Sequence, residues 1–152
     1  MNNAHLANFL QLAKRVTQAE RGLVVDGSET VVAMVGLDED TLQTGNLQTL
    51  IRQTVRDALD ENRAILSNNI IRDPSEAPDT NTAFRNLRLM VGIPVGHGGV
   101  VYLDKQVRNG VILRKDIEQL QRFGQYLIEH ELTGMDADAM YEHYQQMNAP
   151  AS

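Results

Sequence analysis

Few residues in this chain have the type and spacing to do chemistry. His97 sits in Gly96-His97-Gly98-Gly99, with apolar runs on both sides. A histidine acting as general acid or base needs an acid or a nucleophile within hydrogen-bond reach, and the sequence sets none beside it. The flanking glycines supply the positive φ angles of a tight hairpin, so the stretch reads as a turn with His97 at its solvated tip. It is not a phosphate loop, since no Gly-Lys-Ser/Thr follows and it opens a strand rather than a helix. His5, His130 and His143 are scattered through helical segments. Glu129-His130-Glu131 has metal-capable donors, but adjacent helical residues point in different directions and cannot share one ion. The chain has 0 cysteines, which removes disulfides, thiolate metal sites and a cysteine nucleophile. Neither a catalytic set nor a metal site is expected.

Binding residues are better represented. Arg85 and Arg88 bracket Asn86-Leu87, just after Phe84, where a long irregular segment re-enters a strand. An arginine at a pocket rim can hold a ligand carboxylate or phosphate through a forked hydrogen bond. The alternative is that both face water or pair with Asp73, Glu76 or Asp79. Met34 and Met90, in two apolar runs, are soft side chains suited to lining a cavity and equally suited to filling a core. Phe84, Arg85, Arg88, Met34 and Met90 are the ligand-pocket candidates.

The elements that would position them follow from the pattern. Residues 5–19 place Leu6, Phe9, Leu10, Leu12, Ala13 and Val16 on one apolar face at helical spacing. The runs 23–25 and 30–35 flank Asp26-Gly27-Ser28-Glu29, a hairpin signal. Residues 47–60 form a second amphipathic helix, with Asn46 as N-cap, Asn62 as stop, and Arg52, Gln53, Arg56 and Asp57 on its polar side. A short strand at 64–66 precedes residues 67–86, whose Pro74 and Pro78 and many Asn, Asp, Ser and Thr preclude a long regular element. A short helix at 80–86 would fit inside it. Strands at 87–95 and 100–104 and a helix at 113–132 follow. The segment after Gly134 would add helical turns capped by Asp136. Several strands are apolar at successive positions, so both sheet faces are expected to be covered. The end helices cover one face, and the middle helix and the long segment roof the other, where a cavity is expected.

The length of 152 residues suits one domain, and the net charge of −6 argues against direct nucleic-acid binding. No apolar run reaches the ~20 residues of a membrane span, and the N-terminal residues lack a signal-peptide layout. A cytoplasmic setting without membrane contact is expected. Glu129, Glu131, Asp136, Asp138 and Glu142 make the end of the chain acidic, with no Lys or Arg among them, a pattern usually just solvated.

These pieces, in this order, resemble a GAF domain, the small-molecule sensor module of signalling proteins. The matching stretches are AERGLVVD (19–26), VVAMVGLDEDTL (31–42), TVRDALDENRAILSNNIIRDP (54–74), LRLMVGIPVGHGGVVYLDKQ (87–106) and GVILRKDIEQLQRFGQYLI (110–128). A PAS domain, a similar sensor fold with a different element order, is the alternative. The resemblance implies an α+β fold with a central antiparallel sheet of five or six strands, terminal helices on one face, and the middle helix and long loop over a pocket on the other. The domain would span 1–134, with a core at 19–128, and 135–152 would be a helical extension or linker. The family's cyclic-nucleotide signature of spaced Asn-Lys, Phe and Asp-Glu is absent, and without cysteine neither a covalent chromophore nor methionine-sulfoxide reductase chemistry is expected. The ligand is unassigned. The resemblance also implies a homodimer through the terminal helices. Their apolar stripes exceed what one sheet face would consume, which makes Leu6, Phe9, Leu10, Ala13, Ile117, Leu120 and Leu127 the interface candidates, the alternative being full burial within one chain.

The resulting expectation is a non-enzymatic sensory or regulatory domain. It binds a small molecule, or dimerises, or both, and controls a signalling or transcriptional output domain in cis or in trans. An interaction or dimerisation module without a ligand is the alternative, and an enzyme of the same fold ranks behind both, since no acid–base pair, nucleophile or metal set converges.

Overall fold

The antiparallel sheet has the order β2-β1-β6-β5-β3, with a further short strand β4 pairing β5. The computed structural model describes residues 2–43, 47–66, 71–72 and 87–149. In chain order the elements are α1 (Asn3–Thr17), β1 (Arg21–Asp26), β2 (Val31–Val35), α2 (Glu39–Leu42), α3 (Leu47–Glu61), β3 (Ile65–Leu66), β4 (Ile71–Arg72), β5 (Leu87–Pro94), β6 (Gly99–Gln106), α4 (Arg114–Glu129) and α5 (Ala137–Met147). The chain is thus an α+β domain with an open antiparallel sheet. Asn46, Phe84, Arg85 and the proposed helix at 80–86 lie outside the described residues.

Local chemistry accounts for the element ends. The Asn2 side chain accepts a 2.7 Å bond from His5 N and caps α1. Asp136 does the same for α5 through Ala139 N at 2.8 Å. Asp38 caps α2 through Thr41 N at 2.7 Å, a four-residue helix that the apolar pattern gave no reason to expect. Asn62 stops α3 in the left-handed region at φ 49°.

Strands β5 and β6 are the centre of the sheet and are covered on both faces, as their unbroken apolar character requires. Pleating divides their side chains between two cores. One face carries Val24, Val91, Ile93, Val95, Val101 and Leu103 against α1, α4 and α5. The other carries Leu23, Val25, Met90, Val100 and Tyr102 against Leu47, Ile51, Val55 and Ala58 of α3. Two glycines let helices rest on bare strand. A Cβ on Gly99 would meet Val25 O at 2.4 Å and Leu6 Cδ2 of α1 at 3.2 Å. One on Gly92 would meet Thr54 O of α3 at 3.1 Å and Ala58 Cβ at 3.3 Å.

The terminal helices have less to offer a second copy than their apolar stripes suggest. Leu6, Phe9, Leu10, Ala13, Ile117, Leu120 and Leu127 are all at most 3 % exposed within the single chain. They pack on the sheet and on one another, and α5, which lies across α1 and α4, adds Met140 and Tyr144 to the same core. The Tyr144 ring meets Phe123 edge-on at 5.4 Å, and the Arg15 guanidinium stands 3.6 Å over the Tyr141 ring. The segment after Gly134 is therefore a packed helix of the domain rather than a linker. A dimer interface built on those seven side chains is corrected accordingly.

Candidate functional site

The β1–β2 hairpin and α3 enclose a cavity of about 280 Å³ on the α3 face of the sheet. Leu23 and Val25 of β1 and Ile51 and Val55 of α3 form its floor and are each at most 4 % exposed. Val31 and Leu42 close one side. The rim is polar: Glu29 from the hairpin turn, and Gln48, Arg52 and Arg56 from α3. The last three recur at four-residue spacing and so share one helical face. Arg56 Nη2 reaches Glu29 Oε2 at 3.4 Å across the mouth. The turn that presents Glu29 is built locally. Asp26 Oδ1 accepts from Ser28 N at 2.9 Å and from Thr30 N at 3.0 Å, an Asx-type closure, and Glu29 takes a left-handed φ of 62°.

A second polar feature lies on the same face, further along β1. Arg21 pairs with Asp104 across β1 and β6, and its Nε stands 2.8 Å from each Asp104 oxygen. Arg88 Nη1 donates to Asp104 Oδ1 at 2.9 Å and to Glu20 Oε1 at 3.0 Å. The Tyr102 hydroxyl donates to Asp104 Oδ2 at 2.6 Å. Glu20 also accepts from Gln106 N at 3.1 Å and from the Asn109 side chain. Burial pushes the Asp104 carboxyl up, while Arg21, Tyr102 and Arg88 pull it down without cancelling the rise. Burial and the Asp104 charge push the Tyr102 hydroxyl well above its ordinary value, so it stays a donor. For Glu20, burial pushes upward, but Asn109, Gln106 N and Arg88 outweigh it and hold the carboxyl low. Asp104 and Tyr102 are both 0 % exposed. No substrate reaches them, and the cluster ties β1, β6 and β5 together.

The candidate residues fall as follows. Met90 is core on the α3 face, and Met34 packs against the same core from β2. Neither is among the residues lining the cavity. Arg88 is 7 % exposed and belongs to the Asp104 cluster. His97 is exposed at the hairpin tip, where Val95 N bonds Gly99 O at 2.9 Å and Gly98 N bonds Val95 O at 3.1 Å, and Gly96 has φ +57°. The turn reading of that stretch agrees with this geometry. Arg52 and Arg56 were legible only as the polar side of a helix, because Glu29 reaches Arg56 from a distant turn. Among the described residues, no group of three or more His, Asp or Glu could hold a metal ion.

The geometry defines an α+β domain with a cavity between one helix and a hairpin. No family model and no curated protein matches the chain. Among solved structures, it is similar to Myxococcus xanthus MglB at 11 % identity and a TM-score of 0.48, covering 88 % of this chain and 94 % of that one. It is also similar to a GAF domain/HD domain protein from Geobacter sulfurreducens at 12 % identity and a TM-score of 0.39, covering 96 % and 99 %. At these scores neither likeness decides a family. Among the described residues, no helix is long and apolar enough to cross a membrane.

Proposed function

We propose that this chain is a non-enzymatic, GAF-like sensory or regulatory domain of the cytoplasm, which holds a small molecule between α3 and the β1–β2 hairpin and passes its occupancy to an output domain. The observation that supports this reading is the cavity of about 280 Å³ with a buried apolar floor and a polar rim, close to the lower end of ligand-pocket sizes. A guest there regulates only by binding two conformations unequally, and the Glu29–Arg56 contact across the mouth supplies an element that can differ between them.

An interaction module without a ligand is the second reading. It is favoured by β2, an edge strand reading Val-Val-Ala-Met-Val, since an uncharged apolar edge is a template for pairing with another chain. A homodimer would be expected there rather than through the buried stripes of α1 and α4.

Native mass spectrometry of the purified chain tests the proposal. A retained small molecule, or a thermal shift against a metabolite panel, is expected, and both should be lost on Val31→Trp. Val31 is 45 % exposed and lines the cavity, so the indole can fill the mouth without disturbing the core. A bare chain with no thermal shift favours the interaction module.

A further inference from the structure

We infer that the guest of this cavity is an anion with an apolar body, a carboxylate on a hydrocarbon portion, whose headgroup takes Glu29's place on Arg56. This rests on the proposed reading of the cavity as a ligand site and assigns the chemistry of the ligand.

Three observations carry it. Six apolar side chains, Leu23, Val25, Val31, Leu42, Ile51 and Val55, line the space. These side chains offer a guest nothing to hydrogen-bond, so the part that rests on them is hydrocarbon-like. At ~30 Å³ per water-sized unit, a volume of about 280 Å³ admits about nine such units, the bulk of a medium-length alkyl chain.

The charge at the mouth is unbalanced. Arg52 and Arg56 stand one turn apart on α3, and Glu29 is the sole acid among the described lining residues. Arg52 forms no ion pair among the described residues, so the lining carries a surplus positive charge on a chain whose net charge is −6. A cationic headgroup would meet two guanidiniums. A carboxylate would gain the forked, charge-assisted geometry for which arginine is suited.

The contact it replaces is weak. Arg56 meets Glu29 through one 3.4 Å contact, with side chains 67 % and 39 % exposed. Such a pair contributes little and yields readily to a competing anion. Its loss frees the hairpin turn from α3, which makes the occupied and empty states different in structure.

Isothermal titration calorimetry of the whole chain with octanoate, 1-octanol and octylamine tests this. These probes share one chain length and differ in headgroup charge. Octanoate is expected to bind, 1-octanol at least tenfold more weakly, and octylamine not at all. Arg52→Gln and Arg56→Gln should each weaken octanoate by about tenfold, and Glu29→Gln should tighten it several-fold by removing the competitor. All three positions are exposed, so these variants are expected to fold. Equal binding of 1-octanol and octanoate, or unchanged octanoate binding in both arginine variants, overturns the anion assignment. A natural guest that is lost on Val31→Trp, with no octanoate binding, also overturns it and leaves the ligand site standing. No guest and no binding of any probe overturns both.

Discussion

Arg21 Nε lies 2.8 Å from both carboxylate oxygens of Asp104, in a site where Asp104 has no exposure at all. Arg88 and Tyr102 supply further donors, so one carboxylate is the acceptor for groups on two neighbouring strands and on its own. Arg21 Nη2 is buried without a hydrogen-bond partner among the described residues, which leaves the guanidinium dependent on Asp104. Buried pairs of this kind add little net stability, yet they are costly to break.

Asp104→Asn is therefore expected to destabilise the fold by on the order of 3–5 kcal/mol, because it leaves two buried guanidiniums without their shared anion. Tyr102→Phe removes a single hydrogen bond to a charged acceptor that Arg21 still holds, and should cost less, about 1.5–3 kcal/mol. Urea unfolding of both variants beside the parent checks the order. Equal effects would show that the charge of Asp104 contributes nothing beyond its hydrogen bonds.

His5 is fully buried in α1, and among the described residues neither ring nitrogen has a hydrogen-bond partner. Burial first, and then the positive N-terminus, hold its imidazole below the usual 6.5. The unfolded chain therefore takes up a proton that the folded chain refuses. Stability should be full above about pH 6.5 and fall as the pH drops below it, levelling only beneath the lowered folded value. His5→Leu is expected to flatten that fall. Melting temperatures measured from pH 8 to 5 decide it, and parallel curves for parent and variant would refute the assignment.

His97 and Gly99 should separate cleanly on substitution. His97 is exposed at the turn, so His97→Ala is expected to change stability by no more than about 0.5 kcal/mol. Gly99→Ala puts a methyl 2.4 Å from Val25 O, backbone that cannot step aside without opening the β1–β6 ladder. It should lower the thermal midpoint markedly. Thermal unfolding followed by circular dichroism reads both.

The elements were legible because apolar spacing is a local signal. The helices at 3–17, 47–61 and 114–129 and the central strands lie close to where their periodicity put them, and the unbroken apolar runs of β5 and β6 do lie between two layers. The four residues of α2 were not legible, since so short a helix has no period to detect. The role of α5 escaped for another reason. Met140 and Tyr144 are ordinary in sequence, and only their docking on Phe123 and α1 shows that they seal the end-helix layer. The side of the sheet was legible but not the cavity's walls: the expected roof, 67–86, lies outside the described residues save 71–72, and the lining comes from α2, α3 and the β1–β2 hairpin. A cavity on the α3 face follows from two-sided burial, whereas the meeting of Glu29 with Arg56 depends on how a hairpin and a helix are set together across 27 positions of chain. Likewise Arg88 looks like a rim residue until the β5–β6 register sets Met90 opposite Asp104, which puts Arg88, two residues along on the same face, within 2.9 Å of that carboxylate.

The bare backbone at Gly92 and Gly99 seats one helix on each side of two neighbouring strands. On one side α3 bears on β5 at Gly92, and on the other Leu6 of α1 bears on β6 at Gly99, two adjacent strands joined by a full ladder. Because a Cβ at either position would press on backbone oxygen at 3.1 Å or less, neither seat can carry a larger residue, and these two positions set how closely α3 and α1 approach the strands between them.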